Sequence, residues 1–147
     1  MAASEDHLRL ASRTQSVIDR LLIDPQECNE WIATTAFYKA VHLVEAMFDN
    51  LGHGHSHSHN HRLQVLRTAD DFGAIYRDFK ALFDMSKVAR YLENDIPNRI
   101  RYQTTAFERY VPPAKIREKA IEKRLIPIEV NVFTLIGNPP EDFRRAT

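Results

Sequence analysis

The chain has 147 residues, of which 44% are hydrophobic and 27% charged, and its 20 basic residues balance its 20 acidic residues. This composition is typical of a folded domain with one core and excludes a disordered polar chain. Because the net charge is zero, any binding to nucleic acid or to an anionic surface must depend on a local site. The lone Cys28 and the absence of a long apolar stretch predict a cytoplasmic protein with no membrane segment.

The spacing of apolar residues predicts an all-α protein, an up-and-down bundle of four to five helices. One helix should end before Asp24 and Pro25, and the next should be buried on most of its faces, because apolar residues lie all around it. An irregular or short helical connector is expected at residues 98–113. The predicted helical stretches, in chain order, are residues 8–22, 26–51, 62–67, 69–95 and 114–125. Residues 1–125 would thus form the bundle.

Residues 126–147 have a different pattern. Ile128, Val130 and Val132 alternate with polar residues, as in a short strand, and the sequence GNPP follows. One strand alone has no hydrogen-bonding partner. We therefore expect a short extended C-terminal segment that either packs on the same domain or makes a dimer contact.

Polar residues on the apolar helices are candidate site residues, because a buried polar group without a partner costs about 1–3 kcal/mol. His42 and Glu45 lie three residues apart on the second helix, where they could satisfy each other or converge on a third group. Ser86 and Arg90 continue the apolar stripe of the helix at 69–95. An inward Arg90 needs an anion, and a structural bridge to Glu45 is favoured over a clamp on a phosphate.

The segments FYKAVHLVEAMF, SHNHRLQVL and FKALFDMSKVARY, in this order, resemble the HEPN (higher eukaryote and prokaryote nucleotide-binding) family. The resemblance covers residues 8–95 and is to a prokaryotic branch with a His/Glu helix, an H-x-x-R segment and a terminal S-x-x-A-R-Y. It implies an up-and-down helical bundle, a homodimer and a nucleotidyltransferase-like partner in a toxin–antitoxin or defence system. Many members of this family cut RNA without a metal.

Carried over to this chain, the resemblance implies a site for a nucleotide, an RNA phosphate or a protein partner. Its ligand-binding residues would be His42, Glu45, His59, Arg62, Ser86, Arg90 and Tyr91, with Tyr38 and Tyr76 as possible lining residues. The cutting members carry an Arg followed after four to six residues by a His, and this signature is absent here. A metal-independent ribonuclease with a non-standard site is therefore the alternative, with His42, Glu45, His59 and Arg62 as the catalytic candidates.

The segment GHGHSHSHNHR, residues 52–62, places a histidine at every second position. In an extended chain these side chains would point the same way and could chelate zinc or nickel. The candidate metal ligands are His53, His55, His57, His59 and His61. A metal-binding accessory protein is thus a further alternative. We favour a polar loop in which His59 and Arg62 matter, and we expect no cofactor beyond adventitious zinc or nickel.

Overall fold

A computed structural model describes residues 3–91 and 106–147, and all regular structure within these ranges is helical. The α-helices are α1 (Ser4–Leu21), α2 (Pro25–Asn50), α3 (His59–Thr68), α4 (Gly73–Tyr91), α5 (Ala106–Tyr110) and α6 (Ile126–Ile136). Two 3₁₀ turns lie at Asp70–Phe72 and Pro113–Lys115, and a π-helix spans Arg117–Leu125. The all-α prediction is confirmed. The predicted helix end near Asp95 and the first part of the 98–113 connector lie outside the described residues.

Helix α2 is the centre of the bundle. Pro25 is tolerated in its first turn because the amide groups there have no helical partner, and the Asp24 side chain accepts a hydrogen bond from the Glu27 amide, 3.4 Å away. Fifteen of the 26 residues of α2 are buried, and the helix packs against α1, α4 and α6. The prediction of a central helix buried on most faces is confirmed.

Two flanking helices pack on α2 through ordinary helical stripes. The buried residues of α1 are His7, Ala11, Gln15 and Ile18, a spacing of three and four residues that places them on one face. On α4, Ile75, Phe79 and Leu82 are buried, as their period predicts. None of the helices in the described part of the chain is long and apolar enough to cross a membrane.

The π-helix Arg117–Leu125 continues directly into α6. The sequence predicts that Ile116, Ala120 and either Ile121 or Leu125 face inward, and the structure buries all four fully. Their separations of five residues, from Ile116 to Ile121 and from Ala120 to Leu125, match the wider turn of a π-helix. Pro127 lies just beyond this turn, and a wider turn reduces the clash that a proline ring makes with the preceding turn.

The prediction of an extended segment from residue 126 is wrong for residues 126–136, which form α6. The residues that α6 buries are Ile128, Glu129, Val132 and Phe133, a helical spacing, while Val130 is 50% exposed. Sequence alternation misled here because Glu129 counts as an outward polar residue. Its carboxylate instead lies in the core. When Glu129 is counted as an inward residue, the buried positions have the spacing of a helix.

Glu129 is buried because it pairs with a lysine on α2. Lys39 is 0% exposed, and its Nζ atom lies 2.6 Å from Glu129 Oε2. The ammonium also donates to Gln15 Oε1 at 2.8 Å and to the backbone carbonyl of Arg144 at 3.0 Å. Burial lowers the pKa of Lys39, and the charge of Glu129 opposes this shift. This buried ion pair and its hydrogen bonds connect α1, α2, α6 and the C-terminal residues.

Residues 137–147 contain no helix or strand and pack on the same domain. Gly137, with φ 93°, ends α6 in a conformation that favours glycine. The amide of Arg144 donates to Ser12 Oγ at 2.9 Å, and the amide of Ala146 donates to Glu129 Oε1 at 3.0 Å. These hydrogen bonds join residues 137–147 to α1 and α6, and the dimer contact stays a prediction.

We expect the substitution Glu129→Ala to lower the free energy of unfolding by about 3–5 kcal/mol, because it leaves the Lys39 ammonium unpaired in the core. Urea denaturation of wild type and variant measures this. Glu118→Ala is the matched control, since it removes a carboxylate that bridges Lys115 and Lys123 on the surface, where ion pairs contribute little. The double variant Lys39→Met/Glu129→Leu should regain most of the loss. Equal effects of Glu129→Ala and Glu118→Ala would contradict the role of the buried pair.

Candidate functional site

Glu45 is the buried anion around which the candidate site is organised. It lies on α2, is 2% exposed, and its Oε1 atom accepts a hydrogen bond from Arg62 Nε at 2.7 Å. The Oε2 atom accepts one from the backbone amide of Ser56 at 3.3 Å and lies 3.5 Å from His55 Nδ1. Burial tends to raise the pKa of Glu45, but the bonds from Ser56 and Arg62 together outweigh it and lower the pKa. The carboxylate is thus held charged.

Helix α3 places Arg62 against Glu45. The Ser58 side chain accepts a hydrogen bond from the His61 amide at 3.1 Å and caps the helix. His59 and Arg62 then fall on one helical face, and His59 Nδ1 lies 2.7 Å from Arg62 NH1. Because a guanidinium can only donate, Nδ1 of His59 accepts, and the proton of the neutral ring is on Nε2. The predicted H-x-x-R pair is therefore in contact.

His59 rests on aromatic rings. Its ring centroid lies 5.2 Å from that of Phe37 on α2 and 5.5 Å from that of Phe83 on α4. Burial lowers the pKa of His59, and the charges of Arg62 and Arg90 lower it further. His59 is therefore neutral near pH 7 and close enough to Arg90 to sense its charge.

The favoured bridge between Arg90 and Glu45 does not form, because Arg62 takes the Glu45 carboxylate. Helical spacing places both arginines inward and cannot tell which one reaches the anion. Arg90 Nε lies 3.3 Å from the carbonyl oxygen of Ser86, and NH2 lies 3.2 Å from Ser86 Oγ. NH1 has only long contacts, at 3.4 Å to the Tyr38 hydroxyl and 3.5 Å to the Tyr91 hydroxyl. Among the described residues, no carboxylate lies within ion-pair distance of Arg90.

Two tyrosine rings border this guanidinium at the surface. Tyr38 is 41% exposed and Tyr91 is 59% exposed, and the Arg90 Cζ atom lies 5.7 Å and 4.9 Å from their ring centroids. Tyr76, in contrast, is half-buried and packs against the core. The residues Tyr38, Ser86, Arg90 and Tyr91, with His59 beside them, are called the Arg90 face below.

His42 does not bond to Glu45, although the two are three residues apart. Its Nδ1 atom lies 3.2 Å from Nδ1 of His7 on α1. Burial lowers the pKa of both rings. Sequence analysis did not identify His7 as a site residue. The available signal was its position four residues before Ala11, at the start of the buried stripe of α1.

The five loop histidines do not form one array, and the prediction that they point the same way is wrong. His59 and His61 belong to α3, because the Ser58 cap starts a helix there. His57 and His61 stack on each other at 5.1 Å, and His53 packs on Phe72 at 5.4 Å. His55 alone reaches Glu45. The loop bends at Gly52 and Gly54, with φ of 80° and 78°, which favour glycine.

The chain was also compared with protein-family models, curated proteins and solved structures, and no match was found. The HEPN resemblance therefore stays a prediction. Of the seven ligand-binding residues that the resemblance predicts, all but His42 fall into two groups of residues in contact. Glu45, His59 and Arg62 are linked by hydrogen bonds, and Ser86, Arg90 and Tyr91 are linked by others.

We expect the free energy of unfolding to decrease as the pH falls below about 6.5, the ordinary pKa of histidine. Burial lowers the pKa values of His7, His42 and His59 in the folded protein. Between these lowered values and 6.5 the unfolded chain binds more protons than the folded chain, so stability is complete above 6.5 and is lost on acidification. Urea denaturation between pH 8 and pH 5 measures this. His42→Gln should make the dependence shallower, and a flat wild-type profile would contradict the prediction.

Proposed function

We propose that this protein is a HEPN-like helical protein that binds the phosphate of a nucleotide or an RNA at the Arg90 face. The observation that carries the proposal is a partly exposed guanidinium between two exposed tyrosines, with no carboxylate neutralising it within the described residues. Arginine is the side chain best shaped to contact a phosphate through two parallel hydrogen bonds.

Three donors converge on the outer side of Arg90. NH1 of Arg90 makes only long contacts with the hydroxyl oxygens of Tyr38 and Tyr91. A hydroxyl that accepts from a guanidinium keeps its own proton available for donation. The two tyrosine hydroxyls can therefore donate to the oxygens of one bound phosphate, and NH1 can donate to it in place of one of its two long contacts. Ser86 holds the other nitrogens of the guanidinium and fixes its orientation.

The exposed rings give the same surface a way to contact a base. Single-stranded RNA is commonly bound by stacking its bases on tyrosine and on the guanidinium plane of arginine, at about 1–3 kcal/mol per base. Tyr38 and Tyr91 present such rings next to the proposed phosphate contact. This arrangement favours a nucleotide unit, with a phosphate and a base, over a simple inorganic anion.

Arg62 has a positioning role in this proposal. Its charge is neutralised by the buried Glu45 carboxylate at 2.7 Å, so it is not free to bind a second anion at full strength. Through NH1 it holds Nδ1 of His59, which leaves the His59 Nε2–H group as a donor. Glu45 and Arg62 thus fix His59 beside Arg90.

Phosphate binding is favoured over cleavage, the alternative function. Cleavage of RNA without a metal needs a group that accepts a proton and a group that donates one. The Nδ1 atom of His59 is occupied by Arg62, and His42 is engaged with His7. Of the catalytic candidates, His59 is close enough to Arg90 to sense its charge, and its remaining nitrogen, Nε2, carries the proton and can only donate. A homodimer and a nucleotidyltransferase-like partner in a toxin–antitoxin or defence system stay predictions of the resemblance.

We expect Arg90→Ala to weaken the binding of a fluorescein-labelled single-stranded RNA 10-mer by about 10-fold to 100-fold, because a hydrogen bond to a charged group contributes about 1.5–3 kcal/mol. Fluorescence anisotropy at several salt concentrations measures the affinity. The negative slope of log K against log salt should become shallower by about 0.7, the value for one phosphate contact with a single strand.

Arg77→Ala is the matched control, because Arg77 lies on the same helix with a side chain 73% exposed. It should leave affinity and salt slope close to those of wild type. Absence of RNA and nucleotide binding in the wild type, or equal binding by the wild type and Arg90→Ala, would contradict the proposal. Incubating the same RNA with the wild-type protein and a chelator tests the ribonuclease alternative, and RNA that stays intact would contradict that alternative.

The affinity for RNA should increase as the pH falls below about 6.5. The pKa of His59 is lowered in the free protein by burial and by Arg62 and Arg90, and a bound phosphate would raise it again. Binding then takes up a proton in the window between the two pKa values. Since RNA phosphodiesters do not titrate there, anisotropy titrations between pH 8 and pH 5 report the protein when the RNA carries a dye that does not titrate in this window. His59→Gln should remove the trend, and an unchanged trend in that variant would contradict a role for His59.

A further inference from the structure

Three potential metal ligands from separate parts of the chain meet on the side of Glu45 away from Arg62. His7 lies on α1, Glu45 on α2 and His55 in the loop before α3. One ligand atom from each lies within 4.8 Å of the others. His7 is 6% exposed and Glu45 is 2% exposed, whereas His55 is at the surface. The cluster therefore has a closed inner side and an outer side that an ion can reach.

We propose that His7, Glu45 and His55 bind one divalent transition-metal ion of the zinc class. Two imidazoles and a carboxylate suit the borderline ions Zn²⁺, Co²⁺ and Ni²⁺, while an all-oxygen set would suit Mg²⁺ or Ca²⁺. Three protein ligands leave one position of a tetrahedral ion for water or for another small ligand. This site does not depend on the proposed function at the Arg90 face.

The separations fit such an ion after a small movement. Two ligand atoms at about 2.1 Å from a tetrahedral zinc ion lie about 3.4 Å apart. The Nδ1 atom of His55 and the Oε2 atom of Glu45 are already 3.5 Å apart. No separation exceeds 4.8 Å, so the widest must shorten by at most about 1.4 Å. His55 is free to move toward the other two ligands, because it is exposed and follows Gly54, which lies in the left-handed region.

Neighbouring groups orient the ligands. Arg62 Nε holds Oε1 of Glu45 at 2.7 Å, so that Oε2 is the oxygen turned toward His55. The Nδ1 atom of His42 lies 3.2 Å from Nδ1 of His7 and fixes that ring. Metal-bound histidines and carboxylates are usually held by such hydrogen bonds. In this assignment His42 is a positioning residue and His7 is a ligand.

The protonation of the inner histidine is favourable for metal binding. Metals bind the neutral imidazole, and a protonated ring must first lose its proton. Burial lowers the pKa of His7, so its ring is neutral near pH 7. The rings of His7 and His55 are near-parallel, with centroids 6.0 Å apart, and the Glu45 carboxylate would neutralise part of the charge of the ion.

The other loop histidines provide the matched control. His57 and His61 stack on each other at 5.1 Å and are not part of the His7–Glu45–His55 cluster. A variant His57→Gln/His61→Gln therefore removes two imidazoles from the His-rich segment and leaves the proposed site intact. This variant separates the site from adventitious chelation by the alternating histidines.

The experiment titrates Co²⁺ into the full chain and follows its visible absorption, with Zn²⁺ added afterwards to displace it. We expect one Co²⁺ per chain, bound equally by wild type and by His57→Gln/His61→Gln. His7→Gln and His55→Gln should each weaken binding by more than about tenfold, since replacing even a group that only supports a ligand costs about 10–100-fold. His42→Gln removes such a supporting group and should weaken binding by about 10–100-fold, less than the loss of a ligand.

His55→Gln keeps the test decisive if a core variant fails to fold, because His55 is exposed and circular dichroism checks its helix content. Unchanged affinity in His55→Gln would overturn the proposal. Loss of Co²⁺ binding in His57→Gln/His61→Gln with retention in His7→Gln would show adventitious chelation by the loop and also overturn it. RNA binding should be the same in His55→Gln as in wild type, so failure here is distinguishable from failure of the proposed function.

Discussion

The fold depends on one constraint, that a charge buried in an apolar core must be paired. Helix α2 carries two such charges, Lys39 and Glu45, each at most 2% exposed. Lys39 bonds to side chains of α1 and α6 and to the carbonyl of Arg144. Glu45 bonds to Arg62 of α3 and to the loop before that helix. Removing one partner of a buried pair is far more costly than never having the pair. The two charges therefore specify which segments pack on which end of α2, where apolar contacts alone would tolerate several arrangements.

The same constraint divides the chemistry of the candidate site. The two oxygens of Glu45 face different neighbours, Arg62 on one side and the His55 ring with the Ser56 backbone amide on the other. Glu45 neutralises Arg62, whereas Arg90 has no carboxylate partner among the described residues and lies at the surface between two tyrosines. On the opposite side, the second oxygen of the carboxylate lies against imidazoles. One buried carboxylate thus separates the proposed anion-binding surface from the proposed metal-binding cluster.

The sequence predicts the fold class and the inward faces of α2, α4 and the π-helix, because these depend on apolar periodicity. It fails at α6, where Glu129 is a polar residue in a core position whose partner, Lys39, is 90 residues away in the chain. Periodicity contains no information on such pairing. The same limit explains why Arg90 was assigned to Glu45 and why His7 was missed, since both assignments require knowing which helices are neighbours. The prediction for the loop histidines failed for a local reason. The Ser58 cap starts a helix that contains two of the five, His59 and His61.

The π-helix before α6 sets the rotation of α6 about its axis. Each residue of an α-helix advances the chain by about 100° around that axis, so the number of residues between Arg117 and Leu125 fixes the direction in which every later side chain points. A one-residue deletion in this stretch would leave composition and hydropathy almost unchanged. It would still turn Glu129 by about a quarter of a circle away from Lys39. This short stretch is consequently far less tolerant of changes in length than of changes in its exposed side chains.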